Sequence, residues 1–374
     1  MKKIIILYGP VSQKHLIDSV ISHCSSQELQ IIGFNTGDWT FNNNHSQIPI
    51  FYKLLSKWLN VRKIGGLIYL LFFTSLLKKV TNGYDAIDVT FFTKIYYPFL
   101  NYCVTNQIPY KITIWGSDFY RTSKADLQKK LYYFTHARLI QVETESVKED
   151  LVNIFPSIKD KIEVCNYGVD LFDYIDSQRT KINQYLKLDT RNKIVVTCGY
   201  NGSKGQQHYK IIEELSKLPT DVKRKLFLFF PMTYGVPDAE YIDKLKTNLS
   251  SLDIAYHIFT RRLSEYELAD LRLMSNIALN IQITDALSSS LIEHIYAGST
   301  LVVGNWLPYS IFSKFGIRYI SIEESEISNT IQQLCESDNS NINFANISAA
   351  KQMSSWCIIG TKLNKLFIKL FTIQ

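Results

Sequence analysis

Short runs of Val, Ile, Leu and Phe alternate along the chain with longer stretches in which apolar residues return every three or four positions. The first pattern is that of strands buried on both faces, the second that of helices with one apolar side, and their alternation predicts βαβ units and parallel sheets. In the first half the predicted strands are KIIILYG (3–9), LQIIGFN (29–35), AIDVTFF (86–92), YKITIWG (110–116), ARLIQVE (137–143) and KIEVCNYG (161–168). In the second half they are KIVVTCG (193–199), KLFLFFPM (225–232), AYHIFT (255–260), NIALNI (276–281), TLVVG (300–304) and RYISI (318–322). Between the two sets lies DYIDSQRTKINQYLKLDTRNK (173–193), polar, charged and without strand pattern, which is expected to connect two domains. The fold class is therefore α/β with two doubly wound Rossmann-like domains, one over 1–172 and one over 193–349, a linker over 173–192 and helices over 350–374. SDNSNINFANIS (337–348) reads as a surface loop before those last helices.

The length of 374 residues and a hydrophobic fraction of 46% suit two domains with a core each. The opening MKKIIILYG turns to Tyr8 and Gly9 before an h-region or cleavage site develops, so it reads as a buried strand of a cytoplasmic protein. Six cysteines lie scattered without CxxC spacing, which predicts reduced, buried thiols and neither a zinc site nor a disulfide framework. The net charge of +7 is unevenly placed. From Trp39 to Tyr84 there is no Asp or Glu, while Lys53, Lys57, Arg62, Lys63, Lys78 and Lys79 are basic, and IGGLIYLLFFTSLL (64–77) lies between the two basic pairs. That apolar run is too short to span a bilayer. Two readings follow for residues 50–80: an element lying in the interface of an anionic membrane, or a core helix with a solvated basic rim. Nucleic acid is not expected as a partner, because the aromatic residues sit inside the apolar run and not among the charges.

Ligands of open parallel sheets bind beyond the carboxyl ends of the strands, where helix starts present free N–H groups. VVTCGYNGSKGQQHYKII (195–212) has that form, a strand, a glycine loop with one lysine, and a helix. Gly199, Asn201, Gly202, Ser203, Lys204 and Gly205 make a cradle suited to a diphosphate. Its spacing is that of neither a P-loop nor a dinucleotide fingerprint. QITDALSSSLIEHIYAGSTLVVG (282–304) follows another strand, with Ser288, Ser289 and Ser290 at a helix start, and with Asp285 and Glu293 eight residues apart. A helical carboxylate such as Glu293 is suited to accept from the two hydroxyls of a ribose.

These segments resemble the nucleotide-sugar domain of family-four glycosyltransferases of GT-B fold, whose lysine place is taken by Lys204 and whose E-x7-E pair by Asp285 and Glu293, followed by AGSTLVV. TIWGSDFYR (113–121), QVETESVKEDL (141–151) and IEVCNYGVDLFDY (162–174) are similar to further family motifs in the first half. GYNGSKGQQH, WGSDFY and FFPMTYGVPDAEYIDKL (229–245) also resemble the 4-acetamido-4,6-dideoxygalactose (TDP-Fuc4NAc) transferases of bacterial surface polysaccharide synthesis. Tyr200 and Asn201 replace the family arginine, Trp115 stands where a histidine is usual, and Asp285 replaces a glutamate. The missing arginine shifts the expected diphosphate contacts to Arg261 or Arg262.

The resemblance implies two domains facing a cleft, the first for the acceptor and the second for the donor, with the final helices returning to the first. It implies transfer of a sugar from a nucleotide-diphosphate donor to a glycan or undecaprenyl-diphosphate-linked acceptor, as in O-antigen synthesis, by an enzyme at the inner face of the membrane. No Asp-x-Asp occurs, so no metal or other cofactor is expected. Lys204, the loop amides and the helix start over 287–290 then stabilise leaving-group charge. Asp118 is the candidate base for an inverting route, ahead of His15 and His208, and Trp115 and Tyr234 are acceptor-side or second-tier candidates. A retaining route needs no such base. The alternatives are a sugar-nucleotide epimerase and a non-catalytic accessory subunit of the same fold.

Overall fold

A computed structural model of the chain describes residues 1–9, 14–42, 65–337 and 344–372. It divides into two compact units, Met1–Gly168 with Trp356–Gln374, and Val169–Ser355. Each is a Rossmann-like α/β domain. The first sheet contains β1 (Lys2–Tyr8), β2 (Leu29–Asn35), β3 (Thr40–Phe41), β4 (Ala86–Thr90), β5 (Tyr110–Ile114), β6 (Leu139–Val142) and β7 (Ile162–Val164) in the order β3-β2-β1-β4-β5-β6-β7. The second contains β8 (Ile194–Cys198), β9 (Leu226–Pro231), β10 (Ala255–Phe259), β11 (Ile277–Asn280), β12 (Thr300–Gly304) and β13 (Ile320–Ile322) in the order β10-β9-β8-β11-β12-β13. Every pairing is parallel except that of β2 with β3.

Each predicted apolar run forms a strand, and β3 is the addition. Its two residues lie in the polar stretch NTGDWTFNNN and are turned back by a local device. The Asn35 side-chain oxygen accepts from the backbone N–H groups of Gly37 (2.8 Å) and Asp38 (3.1 Å), and Trp39 completes the turn in the left-handed region at φ 56°.

The polar stretch expected as a linker is fastened to the second unit. Leu171–Gln178 is a helix with Phe172 and Ile175 in the core, and the buried Asp270 carboxylate accepts from the N–H groups of Asn183 (3.1 Å), Tyr185 (2.7 Å) and Leu186 (3.1 Å). The expected loop over 337–348 gives way to a helix at Phe344–Ser354, where the Asn346 side chain exchanges two hydrogen bonds with the backbone of Arg318. The last helix, Trp356–Lys369, packs on the first unit against Lys14–Cys24, with Ile359, Leu363 and Phe367 buried, Trp356 stacked on His23 and Asn364 bonded to the Cys24 carbonyl.

Of the basic apolar region, residues 43–64 lie outside the described residues, including Lys53, Lys57, Arg62 and Lys63. Gly65–Thr81 is a helix whose Phe73, Leu76, Leu77 and Val80 are buried in the first unit, while Lys78 and Lys79 are exposed and Lys78 lies over the Tyr102 ring. Its second half is thus a core helix with a basic rim. No helix among the described residues is long and apolar enough to cross a membrane. The cysteines are free, with Cys24, Cys103, Cys165 and Cys198 buried and Cys357 exposed.

One polar cluster sits inside the first sheet. Lys111 on β5 pairs with Asp88 on β4 at 2.8 Å and donates to Thr113 and to Gln141 on β6, all of them buried. Removing one partner of such a pair strands a desolvated charge. Lys111→Met should therefore lower unfolding stability by about 3–5 kcal/mol, and joint replacement with Asp88→Leu should recover most of it, as read from urea unfolding midpoints.

Candidate functional site

The order of the second sheet reverses at β8, with β9 on one side and β11 on the other, so the loops after β8 and β11 leave the carboxyl edge side by side. They are joined there, Ile283 N–H to the Gly205 carbonyl at 2.9 Å. Gly199 occupies the left-handed region at φ +69°, where a Cβ would lie 2.7 Å from the Gln206 amide oxygen. That oxygen accepts from the Tyr200 N–H at 3.1 Å, and the Gln206 Nε2 donates to Gln282 Oε1 at 2.8 Å, which also accepts from the Tyr200 hydroxyl at 3.0 Å. Gly202 is pressed against the loop after β9: its N–H meets the Tyr234 carbonyl at 2.7 Å and an added Cβ would stand 2.3 Å from Val236 Cγ2. Asn201 holds the turn by accepting from the Ser203 N–H at 2.9 Å, and its side chain is hydrogen-bonded to the exposed Tyr234. A Cβ at Gly205 would meet only Ser203 Oγ, at 3.7 Å.

Asp285 lies on the loop after β11, accepting from the Tyr309 hydroxyl and from the N–H of Ala286. Burial and the Asp285 charge push the Tyr309 phenol far up, so it remains the donor, while it accepts from Asn280 at 2.9 Å. Ser288 caps the helix Ser289–Ala297 by backbone geometry alone, Ser289 is exposed, and the buried Ser290 hydroxyl has no hydrogen-bond partner among the described residues. Glu293 is in the second turn of that helix and pairs with Arg272, a buried residue of the helix Glu265–Met274. Tyr234 is hydrogen-bonded to Asn201 and lies within electrostatic range of Arg272, Glu293 and Asp285, as Tyr200 does of Asp285.

Lys204 belongs to the glycine loop itself, whereas Arg261 and Arg262 stand apart. Lys204 is exposed and faces a shallow depression of about 530 Å³ lined by Tyr209, Lys210, Tyr241 and Lys244. Arg261 and Arg262 follow the edge strand β10, and Arg261 is held by Glu267, the residue that also closes the capping box with Ser264. His208 is completely buried, bonded to the Tyr241 hydroxyl at 3.1 Å, and burial lowers its pKa to about 4. It is a neutral core histidine with no route to a substrate hydroxyl. Residues that sequence reasoning missed are Gln206, Arg272, Gln282, His294 and Tyr309. For Arg272 and Gln282 the signal was present as polar residues interrupting apolar runs, in DLRLM (270–274) and NIALNIQI (276–283).

In the first unit, Asp118 ties two carboxyl-edge loops together. Its oxygens accept from the N–H groups of Phe92 and Trp115, each at 2.9 Å, and Lys130 donates to its backbone carbonyl. Burial raises the carboxyl to about 6 against those donors and the Lys130 charge. Trp115 stacks on Tyr167 at 5.3 Å between centroids, with its indole N–H buried and unbonded among the described residues. His15 is exposed at the start of Lys14–Cys24. Among the described residues no group of three His, Cys, Asp or Glu is arranged to hold a metal.

No protein-family model and no curated protein matches the chain. Solved structures do. Anabaena HepE in complex with UDP and glucose is 14% identical with a TM-score of 0.74, over 98% of this chain and 100% of that one. A glycosyltransferase from Rickettsia africae is 13% identical with a TM-score of 0.71, over 100% and 99%. A UDP-forming α,α-trehalose-phosphate synthase from Burkholderia xenovorans is 10% identical with a TM-score of 0.72, over 99% of each chain. The chain shares the two-domain α/β fold of these proteins along its whole length.

Because the Asp118 carboxyl titrates higher in the folded chain than in an unfolded one, its contribution to stability is full below about pH 4 and is lost as pH rises through about 6. Wild type should lose up to about 3 kcal/mol across that window relative to Asp118→Asn, measured by urea unfolding at a series of pH values.

Proposed function

We propose that the protein is a glycosyltransferase that moves a sugar from a nucleotide-diphosphate donor, bound by the second unit, to a hydroxyl of a glycan or lipid-linked acceptor. The observation that carries this is the Glu293 carboxylate on the helix that follows β11, within electrostatic range of Tyr234 as Asp285 is, at the edge where the strand order reverses. A carboxylate there is a strong acceptor for ribose hydroxyls, and the amides of Lys204 and Gly205 with the start of Ser289–Ala297 offer N–H groups to a diphosphate. The likeness to HepE, whose structure holds UDP and glucose, supports the same reading.

In the reaction the bond from the sugar's anomeric carbon to the diphosphate oxygen breaks, a bond to the acceptor oxygen forms, and the nucleoside diphosphate leaves. Lys204, with its exposed ammonium, and the loop amides stabilise the charge that grows on the leaving oxygen, and this chemistry requires no metal. Asp118 has both oxygens committed to backbone N–H groups, so its role in this reading is to hold the Trp115 loop, and the exposed His15 is the better base for an inverting route.

The test is calorimetric titration with UDP. Glu293→Gln should weaken UDP by about 1–3 kcal/mol, the same loss as for a full UDP-sugar, since ribose is the partner. Lys204→Ala should retain the fold and lower turnover by about two to three orders of magnitude. Wild-type protein that takes up no nucleoside diphosphate would leave a non-catalytic subunit as the reading.

We further assign the acceptor to undecaprenyl-diphosphate-linked intermediates of bacterial surface polysaccharide synthesis, at the inner face of the cell membrane. Support comes from the motifs shared with 4-acetamido-4,6-dideoxygalactose transferases and from the basic stretch over 50–80. Vesicles containing anionic lipid should co-sediment the protein, and replacing Arg62, Lys63, Lys78 and Lys79 by Gln should weaken this by up to about 4 kcal/mol, as should added salt. Sedimentation independent of lipid charge and of these residues would remove the membrane from the reading.

A further inference from the structure

The carboxylate proposed to meet the ribose is gripped by an arginine. Arg272 Nε donates to Glu293 Oε2 at 2.9 Å, and Nη2 lies 2.9 Å from the same oxygen. The third nitrogen, Nη1, lies 3.0 Å from His294 Nε2. A guanidinium has donors only, so His294 Nε2 is the acceptor and the imidazole proton sits on Nδ1. That nitrogen faces the Ser299 hydroxyl at 3.1 Å, which in turn donates to the Ser275 carbonyl at 2.8 Å. Every group along this chain has one possible polarity. His294 is buried, and burial together with the Arg272 charge holds its pKa well below the usual range, which agrees with a neutral ring.

Resting on the ribose reading above, we propose that Arg272 is the positioning residue of the nucleotide site: it fixes Glu293 through Oε2, leaves Oε1 toward the ligand, and is itself oriented by neutral His294. Arginine suits the task because its planar fork reaches two acceptors at once and keeps its charge. The side chain of Glu293 is 12% exposed and that of Arg272 5%, so the pair is largely removed from water. Of the other charged groups on the helices packed against Ser289–Ala297, Asp173 and Glu265 are exposed and Glu267 is paired with Arg261. Asp270 holds three backbone N–H groups, Asp285 is bonded by Tyr309, and Asp176 and Arg179 pair with each other at the far end; Lys351 on the helix Phe344–Ser354 is exposed. Arg272 is thus the cation that faces Glu293 directly among the described residues.

Without that cation a half-desolvated carboxyl binds a proton more readily, and a protonated carboxyl is a weaker acceptor. UDP affinity should therefore be measured by calorimetry from pH 5.5 to 8.5 for wild type, Arg272→Met, Arg272→Lys, Glu293→Gln and the Arg272→Met/Glu293→Gln double variant. The UDP phosphate titrates alike in all of them, so the readout is the ratio to wild type. For Arg272→Met the loss should be about thirtyfold at pH 6 and shrink to about threefold at pH 8. Arg272→Lys, which keeps the charge, should lose about threefold at every pH, and the double variant should match Glu293→Gln with no pH dependence. A loss in Arg272→Met that is constant with pH, while Glu293→Gln does weaken UDP, overturns the positioning role and leaves the ribose reading standing. Unchanged binding in Glu293→Gln overturns the ribose reading, and this proposal with it. Should Arg272→Met fail to fold, nitrogen-15 NMR of wild type decides: a neutral His294 with its proton on Nδ1 throughout pH 5.5–7.5 is expected, and a ring protonated on Nε2 overturns the proposal.

Discussion

Both units rest on parallel sheets covered on both faces by helices, and this burial decides where polar chemistry can occur. A strand interior such as Ile4–Tyr8 or Val195–Cys198 is closed to water, so its side chains must be apolar or fully partnered. The exception proves instructive. Asp88, Lys111, Thr113 and Gln141 lie within the first sheet, and they satisfy one another so completely that nothing is left to meet a ligand. Free N–H groups and unpaired side chains are displaced to the carboxyl edges, and in the second unit the reversal of strand order brings two such edges together at β8 and β11.

At those edges, and in the polar segments that wrap the units, buried carboxylates organise the backbone. Asp270 gathers three N–H groups of the segment after Gln178, and Asp118 gathers two from separate loops. Glu293 differs in taking a guanidinium as its partner. A buried carboxylate with a backbone N–H group on each oxygen becomes part of the scaffold, whereas one held through a single oxygen can still accept from a ligand. That distinction separates Asp118 from Glu293, although both sit in segments that resemble glycosyltransferase motifs.

The apolar runs were legible because burial on both faces demands an unbroken set of Val, Ile, Leu and Phe, and that demand is local. The short β3 was not, since two residues carry no period and its position depends on the Asn35 turn. The segment over 173–192 looked like a linker because its side chains are polar, but what holds it is its own backbone N–H groups meeting Asp270 from another helix. Among the site residues, the glycine loop and the Asp285–Glu293 spacing were visible in one stretch each. Arg272 was not visible as their partner, and Arg261, with the same side chain, is committed elsewhere to Glu267.

The sequence by itself determined the two α/β domains, the order of their strands along the chain and the glycine loop that follows β8, because each follows from a periodicity or a turn that neighbouring residues share. Only the tertiary structure decided which polar side chains are free. Whether Asp118, His208, Arg261 or Glu293 can act on a ligand depends on donors and acceptors brought from distant parts of the chain, and desolvation makes those partnerships compulsory once the side chain is buried.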